Sequence, residues 1–239
     1  MNILITGGAS GLGAQMTKEL AAQGDNTVYF TYCHSEKDAE EISHSLKNTR
    51  AIKCDFKKDA DIDHLLEKIT EMDLDVLINN SALNIIEQHF HKISPCIFLE
   101  NFTNLMVPTI KITQEAIKVF RKKKFGKIIN ILSTVVVNKP PIGMSEYAAL
   151  KSYLFSLSKS WAAENATFNI TSNSISPDFM QTKLTAYKDE RLVELYAQAH
   201  PLKKILTPKE VADAVVFLVN CSQQINGINM VINSAQSIA

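Results

Sequence analysis

The chain has 239 residues, 46% of them hydrophobic and 21% charged, which is ample apolar content for a sizeable core. Lysine plus arginine and aspartate plus glutamate number 25 each, so the net charge is zero and nothing points to nucleic acid or an anionic membrane as a partner. The four cysteines (Cys33, Cys54, Cys96, Cys221) lack CxxC spacing, and no apolar run approaches the ~18 residues of a membrane span.

In chain order, short apolar runs alternate with longer amphipathic ones. Strands are predicted at 2–6, 26–33, 49–55, 74–80, 126–133, 169–176 and 228–233. Their Val/Ile/Leu content fits strands covered on both faces, as in parallel sheets. Helices are predicted at 11–24, 36–47, 59–71, 98–123, 147–167 and 208–220, with a further short one in "DERLVELYAQA". The last long helix starts with Thr207 as N-cap, Pro208 at its first position and Glu210 completing a capping box. This alternation over 1–239 predicts one doubly wound α/β domain, with the irregular stretch 178–207 as a substrate lid. The basic run "RKKKFGK" (121–127) reads as a solvated helix end, and "HFH" (89–91) as a loop pair with no third metal ligand nearby. No metal site is expected. "MNILITGG" has no signal-peptide character, so the cytoplasm is the expected compartment.

The first strand runs straight into "TGGASGLG" (6–13), whose glycines open a helix. Glycine allows a tight turn and close approach of a ligand, and the helix N-terminus beyond offers unpaired N–H groups to a pyrophosphate. Gly7, Ser10, Gly11, Leu12 and Gly13 are therefore candidate dinucleotide contacts. Strand two ends in "FTYCHSEKD", where an acidic residue would favour NAD. Tyr32, His34 and Ser35 stand there instead, ahead of Glu36 and Lys37, which favours NADP(H) with its 2′-phosphate. Asp55, which ends strand three, and Phe56 after it are candidates for the adenine end, Asp55 equally a loop or cap residue. Asn80 and Ser81 stand at the end of strand four, and the paired asparagines Asn79 and Asn80 read equally as ligand contacts or as braces between strands.

The stretch "YAALKSYLFSLSKSWAAE" places Tyr147 and Lys151 one turn apart, beside a stripe of Leu150, Leu154, Leu157 and Trp161. Taken alone it is a buried helix or an acid and its activator. An ammonium one turn away is expected to favour the phenolate and lower the tyrosine from its ordinary value near 10.

Ser133, Tyr147 and Lys151, taken with the glycine loop, "CD" (54–55), "NN" (79–80), Asn104, "INILS" (129–133), "SP" (176–177) and "TPKEVADAVVFL", resemble the classical short-chain dehydrogenase/reductase family over nearly the whole chain. The resemblance implies a single-domain Rossmann fold with a seven-stranded parallel sheet and helices on both faces. It also implies hydride transfer between a nicotinamide and a carbonyl or secondary alcohol, including a 3-oxoacyl carrier-protein reductase-like activity. Tyr147 is then the general acid/base and Ser133 the partner of the substrate oxygen, with Thr134 as a weaker candidate for that part. Lys151 also holds the nicotinamide ribose, Asn104 holds a relay water, and Pro177 and Thr182 line the nicotinamide end. Relatives pair the helices at 98–123 and 147–167, so a dimer or tetramer is expected. Departures are Ser81 and Ala82 after the asparagines, Asp178 in place of glycine after Pro177, "NSAQ" in place of Asp-Gly-Gly, and one extra residue between Ser133 and Tyr147. Two other readings stay open: a cofactor-binding regulator without turnover, and a sugar or polyol dehydrogenase using NAD.

Overall fold

The computed structural model describes residues 1–83, 85, 87–182, 185 and 189–237. Part of the stretch read as a lid (183, 184 and 186–188) lies outside the described residues. The chain builds β1 (Asn2–Ile5), α1 (Gly11–Ala21), β2 (Thr27–Tyr32), α2 (Glu36–Ser45), β3 (Thr49–Lys53), α3 (Asp59–Glu71) and β4 (Val76–Asn79). It continues through α4 (Pro95–Asn101), α5 (Val107–Lys123), β5 (Gly126–Ile131), α6 (Ser145–Asn165), β6 (Ile170–Pro177), α7 (Glu190–Ala199), α8 (Pro208–Asn220) and β7 (Asn229–Ile232). The strands form one seven-stranded sheet in the order β3-β2-β1-β4-β5-β6-β7, and every pairing is parallel. The order reverses beside β1, so β1 and β4 part at their C-terminal ends to leave the crevice where ligands of such sheets bind.

Alternation along β1 splits the core into two layers. Ile3 and Ile5 pack with Met16, Phe30, Val211 and Val215 on one face. Leu4 packs with Leu65, Ile112, Phe120 and Trp161 on the other. Each fully buried side chain of this kind contributes roughly 1.5–3 kcal/mol. Leu150 and Leu154 join Trp161 in the second layer, with Leu157 partly buried against it.

The predicted helix at 98–123 is broken in two. A π-helical turn, Phe102–Met106, separates α4 from α5, and the Val107 N–H bonds back to the Phe102 carbonyl. Pro108 is the physical reason. It has no N–H to give the carbonyl of Asn104, and its ring would collide with that carbonyl in a regular helix. Asn104 is thereby placed on an irregular turn beside the N-terminus of α6.

The basic run is more than a solvated end. Arg121 bonds Asn165 at 2.8 Å and stacks over Phe168, and Lys123 pairs with Asp75 at 2.6 Å. Lys127 is buried in β5 and donates to the Cys221 and Leu218 carbonyls at 2.5 and 3.3 Å. The last turn of α8 carries no basic residue of its own. Lys127 supplies the missing positive partner from the sheet, and burial lowers its ammonium below the ordinary lysine range. At the start of α8 the capping box forms as read, and Lys204 with the Thr207 bonds holds the Glu210 carboxyl at about 2.

After β7, Ser234 and Ala235 both take left-handed backbone angles (φ +50° and +59°), anchored by Asn233, whose Oδ1 accepts from the Ala235 N–H at 3.1 Å. The "NSAQ" departure therefore keeps a path that suits two glycines, at about 1 kcal/mol of strain or more for each residue with a Cβ.

Candidate active site

The glycine turn sits at the C-terminal end of β1, facing the crevice. Gly7 and Gly11 have φ of +66° and +52°. A Cβ on Gly13 would lie 2.0 Å from the Gly7 carbonyl oxygen, so no other residue can close this turn onto α1. Ser10 is the N-cap of α1, its hydroxyl makes no capping bond, and the first turn carries no acidic residue. Free N–H groups, an uncommitted hydroxyl and a positive helix end suit a diphosphate. Leu12 is buried, and Leu12 and Gly13 hold the start of α1 against the sheet.

Asn80 serves this turn directly. Its Nδ2 donates to the Thr6 and Gly7 carbonyls, both at 3.0 Å, while the Asn80 and Ser81 N–H groups donate to Thr6 Oγ1 at 2.9 and 3.0 Å. The Nδ2 side of the Asn80 amide thus braces the glycine loop, and its Oδ1 takes part in none of these bonds. Asn79 is buried and points the other way, donating to Thr113 Oγ1 at 3.1 Å and Asn130 Oδ1 at 2.9 Å.

At the end of β2, Tyr32 and Ser35 are partly buried and His34 is exposed. Glu36, the first carboxylate after the strand, is paired with Lys53 at 3.3 Å. Asp55 accepts from the Lys57 N–H at 3.0 Å as a local turn, and it sits against Cys33, whose thiol is raised first by burial and then by that carboxylate. Phe56 beside it is partly buried. On the far side of the crevice, the side chain of Thr182 comes within 3.4 Å of where a Gly11 Cβ would stand, so the segment after β6 returns to the glycine turn. Pro177, the last residue of β6, is buried.

Ser133, Tyr147 and Lys151 converge past the end of β5. Ser133 is extended and caps a single 3-10 turn, accepting from the Val135 N–H at 3.4 Å. Its hydroxyl stands close enough to the Tyr147 phenol to draw that group's pKa down. Thr134, the alternative, is turned away and donates to Asp178 Oδ1 at 3.2 Å. Lys151 is 5% exposed, donates to the Ile131 carbonyl at 2.8 Å, and stands 5.9 Å from the Tyr147 ring centre.

The expected lowering of Tyr147 is overturned. Burial pushes the phenol above its ordinary value, and the Ser133 hydroxyl beside it draws it only part of the way back. Lys151 is itself brought down to about 8 by burial, and its ammonium is turned to a main-chain carbonyl. Helical spacing sets the proximity of the pair, but desolvation outweighs the attraction.

A buried polar chain, which sequence reading missed, sets the rotation of α6. Asn130 Nδ2 donates to Ser158 Oγ at 3.0 Å, and Ser158 meets Ser172 and Ser174, each at 3.0 Å. Ser158 lies seven residues from Lys151, on the same helix face, so bonding it to β5 and β6 turns Lys151 and Tyr147 toward the strand ends. The available signal was "ITSNSIS" (170–176), a strand-length run with polar residues at five of its seven positions, which the fold buries throughout. Asn104 is partly buried on its π turn, and Glu146, the neighbour of Tyr147, is buried with its Oε1 unpartnered among the described residues, its carboxyl raised by burial and drawn back by Asn101. A cavity of about 530 Å³ lies on the other side of α6, lined by Phe90, Ile142 and Ala148 among others, and excludes Tyr147 and Lys151. Among the described residues no three His, Cys, Asp or Glu side chains are placed to hold a metal, and no helix is long and apolar enough to cross a membrane.

The family model described as "Enoyl-(Acyl carrier protein) reductase" matches residues 7–234. The chain is 30% identical over 239 residues to a 3-oxoacyl-[acyl-carrier-protein] reductase of Rickettsia typhi, covering 96% of this chain and 94% of the relative. The reductase of the same name from Escherichia coli is 30% identical over 224 residues, 91% and 88% of the two chains. Among solved structures, one titled a short chain dehydrogenase/reductase family protein superposes with a TM-score of 0.87 at 26% identity, over 98% of this chain and 96% of that one. An actinorhodin polyketide ketoreductase variant solved with NADPH gives 0.89 at 20% identity, over the same shares.

Proposed function

The chain belongs to the short-chain dehydrogenase/reductase family and is an oxidoreductase, and we propose that it reduces a carbonyl at the expense of NADPH, with 3-oxoacyl thioesters on an acyl carrier protein as the substrate class. The observation that carries this reading is the convergence of Ser133 and Tyr147 beside a buried Lys151, at the mouth of a crevice whose other end is the glycine turn. Two hydroxyls side by side suit a carbonyl oxygen that gathers negative charge. The 3-oxoacyl substrate class comes from the relatives' names and from a partly apolar segment after β6, including Phe179 stacked on Tyr196 at 4.6 Å.

Gly7, Ser10, Gly11 and Gly13 would hold the diphosphate, and Tyr32, His34 and Ser35 the phosphorylated ribose. The pairing of Glu36 with Lys53 supports NADP(H) over NAD(H), because it leaves no free carboxylate directly after β2. When bound, the nicotinamide supplies the hydride. Tyr147 donates its proton to the substrate oxygen, and its raised pKa keeps that proton in place at neutral pH, ready for reduction. Ser133 donates a hydrogen bond to the same oxygen. Lys151 steadies the phenolate left behind and reaches the ribose, and the Asn104 turn holds the water through which the proton is replaced.

The stacked pair Phe102 and Tyr153 (5.0 Å, edge to face) joins the α4–α5 turn to the outer side of α6, with Tyr153 40% exposed. This face supports a homodimer or homotetramer, checked by light scattering. The four free cysteines support a reducing cytoplasm. The activity is tested with NADPH and a 3-oxoacyl thioester, following loss of cofactor absorbance. Tyr147→Phe is expected to lose at least ~10²-fold in kcat while its Kd for NADPH holds. Binding of NADPH without turnover of any 3-oxoacyl thioester or simple ketone refutes the proposal, and preference for NADH refutes its cofactor half.

A further inference from the structure

Asp178 meets the residue next to Ser133, and it is brought there by neither α6 nor the glycine loop. It is the first residue after β6, and β6 pairs with β5 in a register that sets Ile131 opposite Ile175. Two parallel strands leaving the sheet side by side therefore carry Thr134 and Asp178 to the same level, and Thr134 Oγ1 donates to Asp178 Oδ1 at 3.2 Å. The Asp178 N–H is fixed from the other side by the Ile232 carbonyl at 3.0 Å. The carboxylate is only partly buried, and no ion pair reaches it from the described residues.

Four residues later the same segment meets the glycine turn, with Thr182 against Gly11. The strap from Asp178 to Thr182 thus runs from the Ser133 end of the crevice to the diphosphate end. It is stiffened by Thr185, which accepts from the Thr182 N–H at 2.8 Å and donates to the Met180 carbonyl at 2.7 Å. A dinucleotide that reaches from the glycine turn to Ser133 and Tyr147 must lie along this strap. Its nicotinamide then falls at the Asp178 end.

The two redox states of that ring differ by one charge: the oxidised ring is a cation, the reduced ring neutral. We propose that Asp178 is a cofactor-discriminating residue, whose carboxylate makes the site hold the oxidised nicotinamide more tightly than the reduced one and so shifts the hydride-transfer equilibrium between the enzyme-bound states toward carbonyl reduction, leaving the overall equilibrium unchanged. The inference rests on the dinucleotide site proposed above. A neutral acceptor at 178 would keep the Thr134 bond and lose the bias.

Asp178→Asn makes that exchange. Titration calorimetry of the purified protein with NADP+ and, separately, NADPH reads both dissociation constants without substrate. In the variant, the Kd for NADP+ is expected to rise about fivefold, the order of effect of one charge through a partly solvated site, while that for NADPH stays within about twofold. Asp178→Ser tests the same charge if the asparagine variant folds poorly, and the same ratio change is expected. Equal shifts in both constants would show a purely structural role and overturn the proposal. No shift in either would also overturn it, moving the carboxylate from the cofactor to the substrate side. If the unaltered protein binds neither form, the dinucleotide reading itself fails, and this inference with it.

Discussion

Lys151→Met tests whether desolvation governs the central ammonium. The side chain is buried, with the Ile131 carbonyl as its hydrogen-bond acceptor, and its pKa falls from 10.5 to about 8. A fall of that size is worth roughly 3 kcal/mol of native-state cost. Below about pH 8 both folded and unfolded chains hold the proton and the full cost applies. Between about pH 8 and 10.5 the native state has released the proton and the unfolded chain still binds it, so stability rises with pH, by at most ~1.4 kcal/mol per pH unit. Methionine removes this dependence and also leaves the Ile131 carbonyl without its donor, at about 1–3 kcal/mol. Near pH 7 the variant is therefore expected to be equal to the unaltered protein or up to ~2 kcal/mol more stable, although inactive. Near pH 10 the unaltered protein should have gained roughly 2–3 kcal/mol on it. Urea unfolding of both proteins without cofactor, at several pH values from about 7 to 10, measures the difference, and ionisations common to both cancel. A difference that stays constant within about 0.5 kcal/mol across that range refutes the reasoning.

Gly13→Ala forces a Cβ against the Gly7 carbonyl, where the nearest atom is backbone and 2.0 Å away. It is expected to cost about 3 kcal/mol or more and to weaken NADPH binding at least ~10-fold, by urea unfolding and calorimetry. Ala235→Gly should stabilise the protein by about 0.5–1 kcal/mol, since relief of the left-handed strain exceeds the added chain entropy; unchanged or lower stability would contradict the strain assigned there.

Period and punctuation make the layout of this protein legible without coordinates. Apolar runs of strand length alternating with 3.6-residue patterns imply the parallel sheet. A glycine turn between the first strand and first helix marks the diphosphate end, and Tyr147 with Lys151 marks the chemical end, because helical spacing is a local property. The break at Phe102–Met106 is local too, and Pro108 was its available sign. Tertiary structure alone decided the rest. The rotation of α6 depends on Ser158 meeting two serines of β6, fourteen and sixteen residues further on. The partner of Asp178 comes from the turn after the neighbouring strand, 44 residues earlier in the chain. The direction of the Tyr147 shift depends on how much water the fold removes, and that balance of burial against charge is struck only when the sheet, the loop after β5 and α6 close on one another.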